Sequence, residues 1–270
     1  MQEYYHSAPS ALRSQFRSGQ LVRPTSGMCG GYAQGNLVVL PRELAFDFLL
    51  FTQRNPKPCP ILEVSDAGSR EFVQTAPGSD IARDIPLYRV YENGVCTGEY
   101  TDVSPFWRDD FVSFLIGCSF TFESALLEEG IGIRHMEMGC NVPMYITNIP
   151  CRAAGAFSGP TVVSMRPIPH EQVVKAVTVT GRYPKVHGAP LHIGSPEMIG
   201  IRDLNHPDFG DPVEIREGEI PVFWACGVTP QAAVERAKLP FVITHAPGHM
   251  FITDVTNAEL SDYLEKKKRR

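Results

Sequence analysis

Two stretches of the chain share one layout: an apolar run, a cysteine, then the start of a helix. The first is FVSFLIGCSFTFESALLEEG, from Phe111 to Gly130, and the second is VFWACGVTPQAAVERAKLP, from Val222 to Pro240. In the first, the run ends at Gly117-Cys118, Thr121 is placed to cap, and Glu123 falls in the first helical turn before the stop at Gly130. In the second, the run ends at Ala225-Cys226, Thr229 is placed to cap, Pro230 suits the first helical position, and Pro240 closes the helix. An apolar run feeding directly into a helix predicts a strand-then-helix unit. If both units belong to one sheet with parallel strands, both cysteines lie at the carboxyl ends of their strands, on the rim where open α/β sheets bind ligands.

The rest of the chain supports an α/β reading. With 270 residues, 43% of them hydrophobic, it can bury one large or two medium cores. Its 23 prolines and 23 glycines predict many short elements joined by tight turns. SALRSQFRSGQ reads as a helix capped by Ser10, and NLVVL as a short element that feeds the helix RELAFDFLLFTQR, with Pro41 at its first position. CPILEV reads as a strand, and YRVYENGVCTGEY as a hairpin turning at Asn93-Gly94. Strands PMYITNI and PTVVSMRPI precede a segment, HEQVVKAVTVTGRY, whose valines and threonines leave helix and strand open, and SPEMIGI reads as a short helix start with Pro196 at its first position. We therefore expect an α/β fold with two subdomains: a larger layered unit with a mixed sheet over 1–138 and 222–270, and a smaller α/β unit over 139–221. No internal repeat of fixed period is visible.

Charge and cysteine usage narrow the partners. A formal net charge of -5 implies no broad basic face, so no nucleic-acid partner is expected. The basic run Lys266 to Arg270 reads as a solvated tail. No apolar stretch approaches the roughly 20 residues of a membrane helix. Seven cysteines with no C-x-x-C pair read as free thiols of a cytoplasmic protein. A homo-oligomer is left open.

The chemistry-bearing residues gather around the two joints. A helix start supplies free N–H groups and partial positive charge, which favour a ligand carboxylate or a thiolate and lower a cysteine's pKa from its usual ~8.5. Cys118 and Cys226 are thus candidates, against the alternative that each fills a core as a small apolar group. Cys29 and Gly30, in the glycine-rich loop TSGMCGGYAQG, are candidates for a third rim element. THAPGHMFITD carries His245 and His249, suited to proton transfer at neutral pH. Pro247 and Gly248 between them argue against a helical metal pair, which leaves a loop-borne divalent metal with Asp254, or hydrogen-bonded loop histidines, as the alternatives. Arg166, at a strand end, can fork onto a carboxylate or form an ordinary ion pair. Asn141 and Asn148 can read a polar ligand or serve as turn formers. No P-loop, G-x-G-x-x-G or G-x-S-x-G motif occurs.

Taken together, TSGMCGGYAQGNLVVLP, FLIGCSFTFE, GCNVPMYITN, VSMRPIP, FWACGVTPQ and THAPGHMFITD resemble, in order, the motif string of the D-glutamate cyclase-like family, whose members are labelled hydro-lyases. The resemblance runs from about Ser14 to Asp254. It implies two α/β subdomains, no established cofactor, a small acidic amino acid or related carboxylate as ligand, and conversion of D-glutamate to 5-oxo-D-proline and water. It carries no catalytic assignment, so roles follow from chemistry. His245 or His249 is the expected base, Glu123 the acid, and the backbone from Gly227 to Thr229 the oxyanion donor, with Arg166 on a substrate carboxylate. Cys118 or Cys226 could instead form a thioester. Two other readings stand beside it: a cofactor-independent racemase or epimerase using Cys118 and Cys226 as opposed bases, and a non-catalytic binder of an acidic metabolite.

Overall fold

The computed structural model describes residues 2–261, and the basic run from Lys266 lies outside the described residues. The first part of the chain forms α1 (Pro9–Arg17), β1 (Tyr32–Pro41), α2 (Arg42–Arg54), β2 (Ile61–Val64), β3 (Tyr88–Glu92), β4 (Val95–Tyr100) and β5 (Phe111–Gly117). The middle forms α3 (Phe120–Glu128), α4 (Arg134–Met138), β6 (Met144–Pro150), β7 (Pro160–Pro169), α5 (Val173–Thr180) and β8 (His192–Ile193). The last part forms β9 (Glu219–Ala225), α6 (Val228–Ala237), β10 (Phe241–His245), β11 (Phe251–Thr256) and α7 (Asn257–Leu260).

These elements build an α/β fold on two sheets. The larger runs β2-β5-β1-β10-β3-β4, with β11 also on β1, and the smaller runs β6-β7-β9-β8. Every strand pairing among the described residues is antiparallel. The expected mixed sheet, and the parallel arrangement supposed for the two cysteine joints, are thereby corrected. The run ending at Ala225 is β9, which pairs with β7 and β8 in the smaller sheet, while the run ending at Gly117 is β5 in the larger one. Local pattern cannot distinguish these cases, because a strand buried on both faces reads as a continuous apolar run in either type of sheet.

β1 shows why. It is a full strand rather than the short lead-in expected from NLVVL. Leu37 and Val39 enter a core shared with Phe72, Ile85, Tyr88 and Phe251. Val38 and Leu40 enter another core shared with Phe48, Phe51 and Phe114. Both faces are covered, so alternation is lost. Elsewhere the turn chemistry holds as expected: Asn93 and Gly94 both take positive φ, 52° and 79°, the condition for a two-residue hairpin turn. The ambiguous segment after His170 is helical, as α5. Helix α1 starts at Pro9 with Ala8 at the cap, not at Ser10.

The two cysteine joints repeat one motif, hidden from a fixed-period search because the segments between its parts differ in length. The Cys118 amide donates to Gln34 O at 3.1 Å and the Cys226 amide to Val162 O at 3.0 Å. Thr121 Oγ1 accepts from the Gln34 amide at 3.1 Å, and Thr229 Oγ1 from the Val162 amide at 2.9 Å. On the far side of the same central strands, Thr253 Oγ1 donates to Ala33 O at 2.8 Å and Thr147 Oγ1 to Thr161 O at 2.7 Å. The trio β11-β1-β5 thus matches β6-β7-β9, and MYITN on β6 matches MFITD on β11. Each motif borrows its outer strand from beyond the other motif's helix: β6 follows α3 but joins β7, and β11 follows α6 but joins β1. The threonines therefore do not cap. Ser119 and Gly227 occupy the cap positions, and Thr121 and Thr229 satisfy strand amides that would otherwise be buried without a partner.

Removing either oxygen leaves a buried N–H unsatisfied, a cost of about 1–3 kcal/mol. Thr121→Val and Thr229→Val should each lower stability by that amount, read from urea unfolding, whereas Thr178→Val on the exposed side of α5 should change it by less than about 0.5 kcal/mol.

Candidate active site

The repeated motif brings its two cysteines together although they belong to different sheets. Cys118 and Cys226 lie in one packed cluster with Phe120 and Val228, Met144 and Met250, Val142 and Val162. Each thiol stands at the start of the helix that follows it, α3 or α6. Asn36 on β1 is wedged against this start: its amide donates to Ile116 O and Gly117 O at 3.2 and 3.0 Å, and a Cβ on Gly227 would collide with it. The equivalent place in the other motif is filled by Ser164 and Ser119, both hydrogen-bonded to Arg166 at 3.1 Å. The loop before β11 reaches the loop before β6, where a Cβ on Gly248 would press on the Asn141 amide. Glycine, already at a φ of 81° at position 248, fits this approach without penalty.

Burial reverses the expected cysteine chemistry. It pushes the Cys118 thiol far above its ordinary range, against the Phe120 amide at the helix start, with Cys226 and Glu123 adding to the rise. It likewise pushes Cys226 up to about 11, against the pull of the Val228 amide, Arg166 and the Gly227 amide. The helix starts do favour the thiolates, as expected, but desolvation outweighs them. Both groups are thiols at neutral pH. Cys29, in its tight loop at a φ of 46°, is also pushed up by burial, to about 11.

Glu123 and Arg166 are each other's partners. Arg166 crosses from β7 to bond Glu123 Oε1 through both Nε, at 3.1 Å, and its terminal nitrogen, while Phe122 and Trp224 stand against its guanidinium plane. His135 Nε2 lies 3.3 Å from the same oxygen. Burial alone would raise the Glu123 carboxyl, yet His135 and then Arg166 hold it below the usual range. An ionised Glu123 is not the acid expected from sequence, and an Arg166 whose donors go to Glu123, Ser119 and Ser164 is not the free carboxylate fork expected there.

The histidines divide. His245 Nδ1 lies 3.1 Å from the Leu37 amide and 3.3 Å from the Leu37 carbonyl, so it meets a donor and an acceptor of the same residue, and Nε2 is buried without a partner. Burial lowers its pKa to about 4. A ring with one nitrogen held on the Leu37 backbone and the other sealed from solvent is poorly placed to meet a substrate amine, which corrects one of the two expectations. His249 Nδ1 lies 2.9 Å from Pro247 O, a carbonyl that only accepts, so the lone pair sits on Nε2. Burial lowers its pKa too, and the ring is only half-buried, with Glu99 and Arg89 as its charged surroundings. His249 is therefore the base-competent imidazole.

Among the remaining expected residues, Gly227 and Asn141 sit at the thiol cluster. Thr229 is fully buried on Val162 and touches no open site. Asn148 lies under Gly200 near the end of β6, beside a separate cleft lined by Thr147, Cys151 and Arg236. Cys29 and Gly30 line a cleft with Glu123 and Phe120, and Phe120 also packs in the thiol cluster. No group of three or more His, Cys, Asp or Glu side chains among the described residues is arranged to hold a metal. No helix there is long and apolar enough to cross a membrane. Sequence reasoning missed Asn36, Ser119 and Ser164. Their signal was position: each matches a partner in the other motif.

Comparison with known proteins agrees with this layout. The family model described as D-glutamate cyclase matches residues 112–254, which hold both cysteine joints and both histidines. A protein of Clostridium beijerinckii named "Putative hydro-lyase" is 64% identical over 96% of this chain and 98% of its own length. The chain belongs to the D-glutamate cyclase family. Other members carry hydro-lyase names as well, including one from Stutzerimonas stutzeri, 60% identical over 95% of this chain and 97% of its own, and YcsI of Bacillus subtilis, 59% identical over 94% and 99%.

Two measurements follow from the electrostatics. Iodoacetamide at pH 7 should modify exposed Cys96 first and leave Cys118 and Cys226 unmodified until the protein unfolds, as read by mass spectrometry. His245, with a folded pKa of about 4 against an unfolded value near ~6.5, contributes stability that is present above ~6.5 and is lost as pH falls towards 4. The urea midpoint should drop across that window, and more gently in His245→Gln.

Proposed function

We propose that the protein is a hydro-lyase acting on an acidic amino acid, closing D-glutamate to 5-oxo-D-proline with release of water. The observation that carries this reading is the packing of Cys118 and Cys226 in one cluster at two helix starts, where burial favours the protonated thiols. Family membership supports it.

The reaction forms one C–N bond and breaks one C–O bond. The substrate ammonium must lose two protons, and both must reach the departing carboxyl oxygen for it to leave as water. A carboxylate oxygen is a poor leaving group, so the step needs an acid that still holds its proton at neutral pH. Cys118 and Cys226 meet that need, where Glu123 does not. His249 Nε2, with its lone pair free, takes a proton from the amine. The Gly227 and Val228 amides beside Cys226, and the Phe120 amide beside Cys118, are the donors for the tetrahedral oxyanion. Holding amine and carboxyl in ring geometry can itself supply ~7–11 kcal/mol of the barrier reduction. We place the protein in the cytoplasm, consistent with its free thiols.

A second reading has its own support in the repeated motif. Cys118 and Cys226 occupy matching positions, which suits transfer of a proton to opposite faces of one carbon, as in a two-thiol racemase or epimerase. The two reactions separate in heavy water: cyclisation yields 5-oxoproline without label at Cα, whereas racemisation yields labelled glutamate and no ring.

Incubation of metal-free and metal-supplied protein with D- and L-glutamate, followed by chiral chromatography, should give 5-oxo-D-proline from the D-isomer. Absence of product in every arm would reject the cyclase reading. Cys226→Ser should lower kcat by about 10²–10⁴-fold with little change in fold, the range for loss of a general acid.

A further inference from the structure

A cleft of about 240 Å³ lies between the segment from Arg23 to Ser26 and the turn from Gly139 to Asn141 that leads to β6. Both walls are fastened to the thiol cluster. Thr25 donates its amide to Gly248 O at 2.9 Å and accepts the Met250 amide on Oγ1 at 3.0 Å, and Met250 belongs to the cluster. Asn141 meets the same loop at Gly248, and its neighbour Val142 is also in the cluster. His249, the base-competent imidazole, stands between Gly248 and Met250 in this fastening loop.

Two opposite charges line the cleft without pairing. Arg23 is its one cationic side chain; it lies over the Tyr4 ring, 5.9 Å from the centroid, and forms no ion pair among the described residues. Asp211 is its one carboxylate. Oδ2 accepts the Asn141 amide at 2.9 Å, and the Asp211 amide donates back to Asn141 O at 3.3 Å, so the side chain is held while Oδ1 meets no donor among the described residues. Gly210 permits this hold: at a φ of 75° it lies against Val142 O, where a Cβ would collide. Asn141 Oδ1 accepts the Val142 amide at 3.0 Å, which leaves Nδ2 as an uncommitted donor. The Ser26 hydroxyl, in the opposite wall, has no partner either.

A ligand that answers both charges must carry an anion and a cation close together. A lone carboxylate meets Asp211 as a like charge, and a lone amine meets Arg23 in the same way. We propose that this cleft binds the charged head of an α-amino acid, with its carboxylate on Arg23 and Asn141 Nδ2 and its ammonium on Asp211. A guanidinium fork suits a carboxylate, and Asp211 Oδ1 can take one of the three ammonium protons. The inference rests on the reading of the protein as an amino-acid enzyme and fills a place that Arg166 leaves open. Arg166 is spent on Glu123, so another cation must hold the substrate carboxylate that does not react. A head group seated here leaves the glutamate side chain to extend towards the neighbouring thiols.

The test is calorimetric titration of the full chain, run beside the turnover assay. Glutamate, as the D- or L-isomer, should bind saturably. Glutarate, which lacks the ammonium, and γ-aminobutyrate, which lacks the α-carboxylate, should bind about tenfold more weakly or worse. Arg23 and Asp211 are exposed, so Arg23→Gln and Asp211→Asn should unfold at the wild-type temperature. Each should raise the glutamate Kd about tenfold, and KM with it, with little change in kcat. Arg23→Lys keeps the charge and should recover part of the affinity. Asp211→Asn keeps an oxygen for the Asn141 amide and should lose the preference for glutamate over glutarate. Weakened binding in these variants, with no 5-oxoproline from the wild type, would reject the cyclase reading alone and leave the subsite standing. Unchanged Kd or KM in both variants, glutarate binding as tightly as glutamate, or no binding of either isomer would overturn the proposal.

Discussion

One buried ion pair ties the molecule together. Arg166 belongs to the smaller sheet, and Glu123 to the helix that leaves the larger sheet. Their contact is almost wholly removed from solvent, with both side chains no more than 3% exposed. Removing charges from water is expensive, and a pair in this setting is retained only when geometry and hydrogen bonds compensate. Here Ser119 and Ser164 each accept a further guanidinium N–H, and the rings of Phe122 and Trp224 stack against its plane. The same contact sets the position of Ser119, the residue between Cys118 and the first turn of α3. Through it, the ion pair fixes one helix start relative to the opposite sheet, and with it one of the two thiols.

The repeated motif explains why the pair occurs on only one side. Glu123 in the first motif corresponds to Gln231 in the second. Gln231 donates to Thr244 Oγ1 and His245 O, a neutral network where the first motif has a charged one. Asn36 corresponds to Ser164, and Gly227 to Ser119. The backbone scaffold is thus duplicated, but its polar furnishing is not. A site between two such halves has equivalent frames and unequal chemistry, the condition for treating the two ends of one small ligand differently.

Much of the secondary structure was legible because it is set locally. The hairpin at Asn93-Gly94 needs only two residues that tolerate positive φ. Helices α2, α3 and α6 follow from apolar spacing and from proline or glycine at their ends. The convergence of Cys118 and Cys226 was also anticipated, though for the wrong geometric reason: crossed strands from two antiparallel sheets bring them together, not a shared parallel rim. Thr121 and Thr229 look like caps in sequence, because a cap and a strand-amide acceptor require the same hydroxyl at almost the same place. Only the neighbouring strand decides between them.

The amino-acid sequence by itself determined the local elements, the two cysteine-to-helix joints and the family to which they belong. Tertiary structure alone decided which sheet each joint enters, which polar groups spend their hydrogen bonds on one another, and the protonation of the site. The reason is range. Helix and turn preferences act over a few residues, whereas desolvation of a thiol or a carboxylate is the summed effect of every chain segment packed around it, and those segments come from distant parts of the sequence.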